Sequence, residues 1–211
     1  MVKILLTRHG HVEGIAPERF RGREPLALTA RGRAEAAAVA KRIAGAWQPD
    51  FIYTSPMGRC VETGAAIAKA CGMAAQICDD LNDIDYGAWQ FKTFADAKAQ
   101  DPALFAAWLA TPHLVRFPGG ESLQELAARI TNVVRMVLAR HSDATIVLVG
   151  HDSVNRALLL SFLDLPLSAF WRIVQAPCCL NEIDVDGTAT CIRSINETFH
   201  LGAIAHTSEV R

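Results

Sequence analysis

Ile4-Leu5-Leu6-Thr7-Arg8-His9-Gly10 is the stretch from which the fold of this chain is read. A short apolar run ends abruptly in a guanidinium, an imidazole and a glycine, the pattern of a buried strand running out into a loop. Gly10 is expected to permit a tight exit turn that a side chain would obstruct. Arg8 and His9 then fall at the carboxyl end of a strand, where an open α/β sheet gathers its ligand-binding groups. An imidazole beside a fixed cation suits attack on an anionic phosphoryl group. A tripeptide recurs by chance in many proteins. A solvated arginine and an ordinary histidine therefore compete with that reading until other segments are added.

Composition bounds what surrounds the strand. The 211 residues, 51% of them hydrophobic, suit a single α/β domain over 1–211 with a substantial core. A formal net charge of −1 lacks the basic excess expected of a nucleic-acid-binding protein. No apolar run is long enough to cross a membrane. With the first strand starting at about Val2, no signal peptide is expected. Cys60, Cys71, Cys78, Cys178, Cys179 and Cys191 form no Cys-x-x-Cys pair and are expected to act as small buried hydrophobes. A reducing, cytoplasmic setting follows. Redox activity of the adjacent Cys178-Cys179 is the competing reading.

Taken in order, the chain alternates strands with helices. A loop from His11 to Ala27 carries Arg19, Arg21 and Arg23. Arg19 and Arg23 are expected to be solvated, whereas Arg21-Gly22 would let backbone approach a ligand closely. Thr29 is an expected N-cap for an Ala-rich helix with Val39, Ile43 and Trp47 on its core face. Phe51-Ile52-Tyr53-Thr54 predicts a second strand, and Ser55-Pro56 a helix start that puts Arg59 in the first turn. Gly72 would stop that helix, and Ala75 to Cys78 is an expected third strand. After a polar loop holding Asp80, Asp83 and Asp85, a helix from Thr93 to Leu109 should break at Pro102. Ser122-Leu123-Gln124-Glu125 is a capping-box pattern. It opens a helix whose apolar stripe is Leu123, Leu126, Ala127, Ile130, Val134, Val137 and Leu138. Thr145 to Val149 is a wholly apolar strand followed at once by Gly150-His151-Asp152, then a helix from about Ser153 to Leu163. Leu180–Val185 and Thr190–Ile195, joined through Asp186-Gly187, predict a terminal hairpin. The tail after Leu201 is expected to be loosely held.

Separate strand ends thus deliver Arg8-His9, Arg59 and His151. Strand ends of one mostly parallel sheet share an edge, so these residues can meet although distant in sequence. Two guanidinium groups can fork onto phosphate oxygens, and a helix N-terminus at His151 adds backbone donors. Phosphoryl transfer asks a protein mainly for positioning and charge neutralisation.

Four ordered motifs are Arg8-His9-Gly10, Thr54-Ser55-Pro56-x-x-Arg59 with Thr63, Gly119-Gly120-Glu121-Ser122, and Gly150-His151. Together with Pro25 through Gly32 and Phe199-His200-Leu201, this pattern resembles the histidine phosphatase superfamily, the phosphoglycerate-mutase-like group, over about residues 3 to 201. Pattern and resemblance together imply an α/β three-layer sandwich, a mostly parallel central sheet with helices on both faces and an antiparallel edge strand. The resemblance further implies that His9 attacks phosphorus and becomes a phosphohistidine that water hydrolyses. His9 must be neutral to do so, with a backbone carbonyl holding its tautomer. Arg8, Arg59 and His151 would clamp the phosphoryl oxygens of a small phosphorylated substrate, without cofactor or metal.

Departures from the family pattern bear on the general acid and on recognition. Leu81-Asn82-Asp83-Ile84-Asp85-Tyr86-Gly87 places Asp83 where the family has a glutamate, one methylene shorter. Asp152, beside His151, is the competing acid, with helix capping as its alternative role. Ile15 stands at a usual asparagine, Arg21 at a usual glutamine, and Gln90-Phe91 at a usual Glu-Gly. The expected substrate contacts are Arg8, Arg59, Arg21, Gly22 and Asp152, with His11 and Arg116 as outer candidates. A phosphomonoester hydrolase is the expected function. The alternatives are a phosphoglycerate-type mutase, a non-catalytic phospholigand-binding protein and, with no His-x-x-x-His spacing to support it, a zinc hydrolase. Oligomeric state is open, a homodimer included.

Overall fold

The computed structural model describes residues 1–205. β1 (Val2–Arg8) leads through a long loop to α1 (Ala30–Ala46), β2 (Phe51–Thr54), α2 (Gly58–Cys71) and β3 (Ala75–Ile77). Then follow α3 (Phe94–Gln100), α4 (Pro102–Ala110) and α5 (Leu123–Arg140). β4 (Ala144–Gly150), α6 (Asp152–Phe162), β5 (Leu180–Asp186) and β6 (Ala189–Glu197) complete the sheet. The six strands lie in the order β3-β2-β4-β1-β5-β6. β1, β2, β3 and β4 run parallel, and the antiparallel part extends over β5 and β6.

Side chains of successive strand residues point to opposite faces, and the core divides accordingly. Ile4, Leu6, Ile146 and Leu148 pack with Leu126 and Ile130 of α5 and Val154 and Leu158 of α6. Leu5, Val147 and Val149 pack on the other face with Val39 and Ile43 of α1 and Ile67 of α2. The three layers of the expected sandwich result.

Local chemistry sets most helix ends. The Thr29 hydroxyl accepts from Gly32 N, Ser122 and Glu125 complete a capping box, Pro102 opens α4, and Gly72 closes α2 in the left-handed region. Ser55-Pro56 does not open α2, which starts at Gly58 with Met57 at the cap position and no side-chain bond there. The buried stripe of α5 is Leu123, Leu126, Ile130, Val133 and Val137. Val133 replaces Val134, and Leu138 is exposed. Gly10 is needed for packing, not for a turn: a Cβ there would lie 2.3 Å from the Gly32 carbonyl oxygen. Cys60, Cys178 and Cys179 are buried, but Cys71 and Cys78 are only half-buried and Cys191 is exposed. The part of the tail beyond residue 205 lies outside the described residues.

Candidate active site

The register Arg8↔Gly150 sets the ends of β1 and β4 side by side, and His9 N donates to the Gly150 carbonyl at 3.0 Å. The rings of His9 and His151 therefore meet edge to face, with centroids 5.3 Å apart. His9 Nδ1 lies 2.7 Å from the Gly10 carbonyl oxygen. A carbonyl only accepts, so Nδ1 carries the hydrogen and Nε2 keeps its lone pair. Burial pushes the His9 pKa well below the usual histidine value, and the charges of Arg59, His151 and Arg8 push the same way. Both effects favour the neutral ring, with Nε2 left bare of hydrogen.

Arg59 reaches this point from the first turn of α2 and is fully buried. Its Nη1 donates to the Glu24 carbonyl at 2.8 Å, and its Nη2 to the Gly22 carbonyl at 2.5 Å and to Asp83 Oδ2 at 3.0 Å. Gly22 admits this approach: at φ +41° it has no room for a Cβ, which would fall 2.5 Å from Gln90 Oε1. His151 completes the group. Its Nε2 lies 2.7 Å from the Ser55 hydroxyl, and its Nδ1 lies 3.2 Å from Arg59 Nη2 and 3.3 Å from Asp83 Oδ2. Burial and the Arg59 charge hold the His151 pKa well below normal.

Arg8 donates to the Gln175 carbonyl at 2.6 Å. Arg21 donates to the Gly14 carbonyl at 2.7 Å, and burial together with the nearby Arg8 charge draws its pKa down to about 10. His9, Arg21, Asp83, Asp152, Trp108 and Trp171 contribute to the wall of one narrow cleft. All eight site residues expected from the sequence therefore gather within one region.

The two candidate acids differ. Asp83 is buried: Oδ2 faces Arg59 and His151, and Oδ1 accepts from Ile84 N at 2.9 Å and from the Ser153 hydroxyl at 2.5 Å. Asp152 is more open, with Oδ2 3.0 Å from Arg156 Nε and Oδ1 3.9 Å from Arg8 Nη1. It is the first residue of α6, not its cap; His151 occupies the cap position.

Other expectations are corrected. Arg19 is not a solvated loop residue: it borders the cleft and donates to the Phe91 carbonyl at 2.9 Å. Arg23 likewise donates to the Asp83 carbonyl at 3.1 Å and to Glu121 Oε1 at 3.0 Å. Arg116 is exposed and pairs with Glu125, away from the cleft. His11 is engaged at the start of α1, where its backbone N–H donates to Glu35 and its Nδ1 lies 3.0 Å from the Thr29 hydroxyl. Residues not anticipated in these roles are Ser55, Ser153 and the pair Glu121 and Arg129. Ser55 stood in a quoted motif but read as a cap, and Arg129 gave no signal beyond lying off the apolar stripe of α5.

Comparison with known proteins places this geometry. The family model of the histidine phosphatase superfamily (branch 1) matches residues 4–198. Phosphoserine phosphatase 1 of Hydrogenobacter thermophilus is 31% identical over 202 residues, 96% of this chain and 95% of that protein. A probable phosphoglycerate mutase GpmB of Proteus mirabilis is 29% identical, with 97% of each chain covered. The solved structure of Bacillus stearothermophilus YhfR superposes with a TM-score of 0.90 at 28% identity, covering 95% of this chain and 100% of that one.

Proposed function

The chain belongs to the histidine phosphatase superfamily, and from that premise we propose that it hydrolyses small phosphomonoesters through a phosphohistidine at His9. The observation that carries the reading is the fixed lone pair on His9 Nε2, held by the Nδ1 contact with Gly10 amid Arg8, Arg59 and His151. Arg8, Arg59 and His151 take the phosphoryl oxygens, and Arg21 adds a further cation from the cleft wall. Charge that develops on those oxygens meets donors already in place, so little reorganisation is needed at the transition state. His9 Nε2 forms the bond to phosphorus as the ester oxygen leaves. Asp83 supplies the proton that this oxygen takes up. Each acid pairs with one arginine at 3.0 Å, but Asp83 is buried against His151, whereas Asp152 is more open and also near Arg8. Water then attacks the phosphohistidine, returns a proton to Asp83 and frees phosphate.

A hydrolase is favoured over a mutase because the loop around Asp83 is altered and Ile15 stands at a usual asparagine. A mutase must keep its phosphoenzyme from water. No helix among the described residues is long and apolar enough to cross a membrane. The free thiols support a reducing, cytoplasmic setting.

Purified protein is expected to release phosphate from 4-nitrophenyl phosphate with a chelator present, and His9→Ala to abolish both turnover and the acid-labile phosphoprotein. Phosphate release by His9→Ala at the wild-type rate would overturn the reading, and loss of activity with chelator would point to a metal enzyme. Phosphate binding without turnover by the wild type would identify a non-catalytic binding protein.

A further inference from the structure

Asp83 stands where the resemblance expects a glutamate, and the missing methylene withdraws its carboxyl by about 1.5 Å, one C–C bond. A catalytic group misplaced by that much costs on the order of a hundredfold. The surroundings of Asp83 show where the reach is recovered. Oδ2 is occupied by Arg59 and His151. Oδ1 accepts from a backbone N–H and lies 2.5 Å from the Ser153 hydroxyl, which donates to the ionised carboxylate and accepts from the protonated carboxyl. Ser153 sits in the first turn of α6, is 3% exposed, and lines the same cleft as His9 and Asp83.

We propose that Ser153 is a catalytic residue, its hydroxyl carrying the proton between the shortened acid Asp83 and the leaving-group oxygen. This rests on the phosphatase reading above. In the first step His9 Nε2 bonds to phosphorus and the phosphorus–ester oxygen bond breaks. The departing oxygen takes the hydroxyl proton of Ser153, and Ser153 Oγ takes the carboxyl proton of Asp83, leaving a carboxylate. In the second step water bonds to phosphorus and the phosphorus–Nε2 bond breaks. The water proton passes to Ser153 and the serine proton returns to Asp83, so serine is unchanged over the cycle. A hydroxyl suits this task because it donates and accepts at once.

The competing role is structural, with Ser153 only holding Asp83 in its rotamer. Leaving-group dependence ties the loss to proton donation, because a proton donor matters for an alkoxide and little for a stabilised phenolate. A proton inventory in mixed H2O and D2O on glycerol 3-phosphate separates the two. A relay moves two protons and curves the wild-type plot, whereas direct donation by a merely positioned Asp83 keeps it linear. The experiment reads kcat/KM, which reports steps up to phosphohistidine formation, for glycerol 3-phosphate and for 2,4-dinitrophenyl phosphate. Ser153→Ala is expected to lose on the order of a hundredfold or more on the first substrate, the usual worth of general acid catalysis, and less than tenfold on the second. Asp83→Glu added to Ser153→Ala is expected to recover at least tenfold on glycerol 3-phosphate, since the longer acid reaches the leaving oxygen directly. Equal losses on both substrates, no recovery in the double variant, or a linear proton inventory in the wild type would overturn the relay while leaving the phosphatase reading intact. Failure of the wild type to hydrolyse either substrate would overturn both.

Discussion

At the scale of single residues, His9 and His151 are buried in their neutral forms beside fixed cations, and this couples reactivity to stability. Both have pKa values well below 6.5 in the folded protein. Below about pH 6.5 the unfolded chain takes up protons that the folded chain refuses, so stability rises with pH across that window. Each group contributes a slope of up to about 1.4 kcal/mol per pH unit. Urea unfolding is expected to give a lower midpoint at pH 5 than at pH 7, and His151→Asn is expected to flatten the difference. The His9 limb of kcat/KM should likewise lie well to the acid side of pH 6.5, because the folded protein keeps the lone pair of His9 below that pH. Arg8, His9, Arg59 and His151 were legible in the sequence because each lies at or shortly past a strand end. Ser55 was not: its hydroxyl, read as a helix cap, is taken by His151 across 96 positions of sequence. A local pattern contains no such partner.

Among the elements, α5 does more than cover the sheet. Arg129 projects from it and donates to the carbonyls of Asp80 at 2.8 Å, Asn82 at 2.6 Å and Asp83 at 2.9 Å. Glu121 holds the arginine from its other side, at 3.0 Å to Nε. Burial opposes ionisation of Glu121, yet the bonds from Arg129 and from Asp85 N–H keep its carboxyl below the usual range. The stretch carrying Asp83 has only short helical turns of its own, so this clamp sets where the acid sits. Arg129→Met should destabilise the protein by about 2–3 kcal/mol, the worth of charge-assisted hydrogen bonds left unmade. It should also lower kcat on an alkyl phosphate, and urea denaturation with steady-state kinetics checks both. The ends of α2, α4 and α5 could be read from Gly72, Pro102 and Ser122 because those signals act within a turn. The phase of the α5 stripe could not be read to the residue. Val133 and Val134 are equally apolar, and only docking against the sheet decides between them.

For the whole molecule, the site is a product of topology: β1, β2 and β4 are neighbours in space but far apart in the chain. A ligand bridging their ends stabilises the entire fold. Inorganic phosphate at a hundred times its dissociation constant should add about 2.7 kcal/mol to unfolding. A thermal melt should register the shift, and Arg8→Ala should largely remove it. The alternation of strands and helices made the parallel sheet legible. The hairpin was legible too, through Asp186-Gly187, but its docking depends on pairing between β5 and β1, whose residues lie at opposite ends of the chain. That pairing has a consequence for motion. β1 is laddered on both sides, to β4 and to β5, and beyond its end His9 N bonds Gly150 while Cys178 N bonds the Arg8 carbonyl. Segments so flanked open only with global unfolding. Deuterium uptake followed by mass spectrometry should therefore reach the amides of residues 4–9 last. Any accommodation to differently shaped ligands then falls to side chains around the cleft, while the backbone that carries His9 stays still.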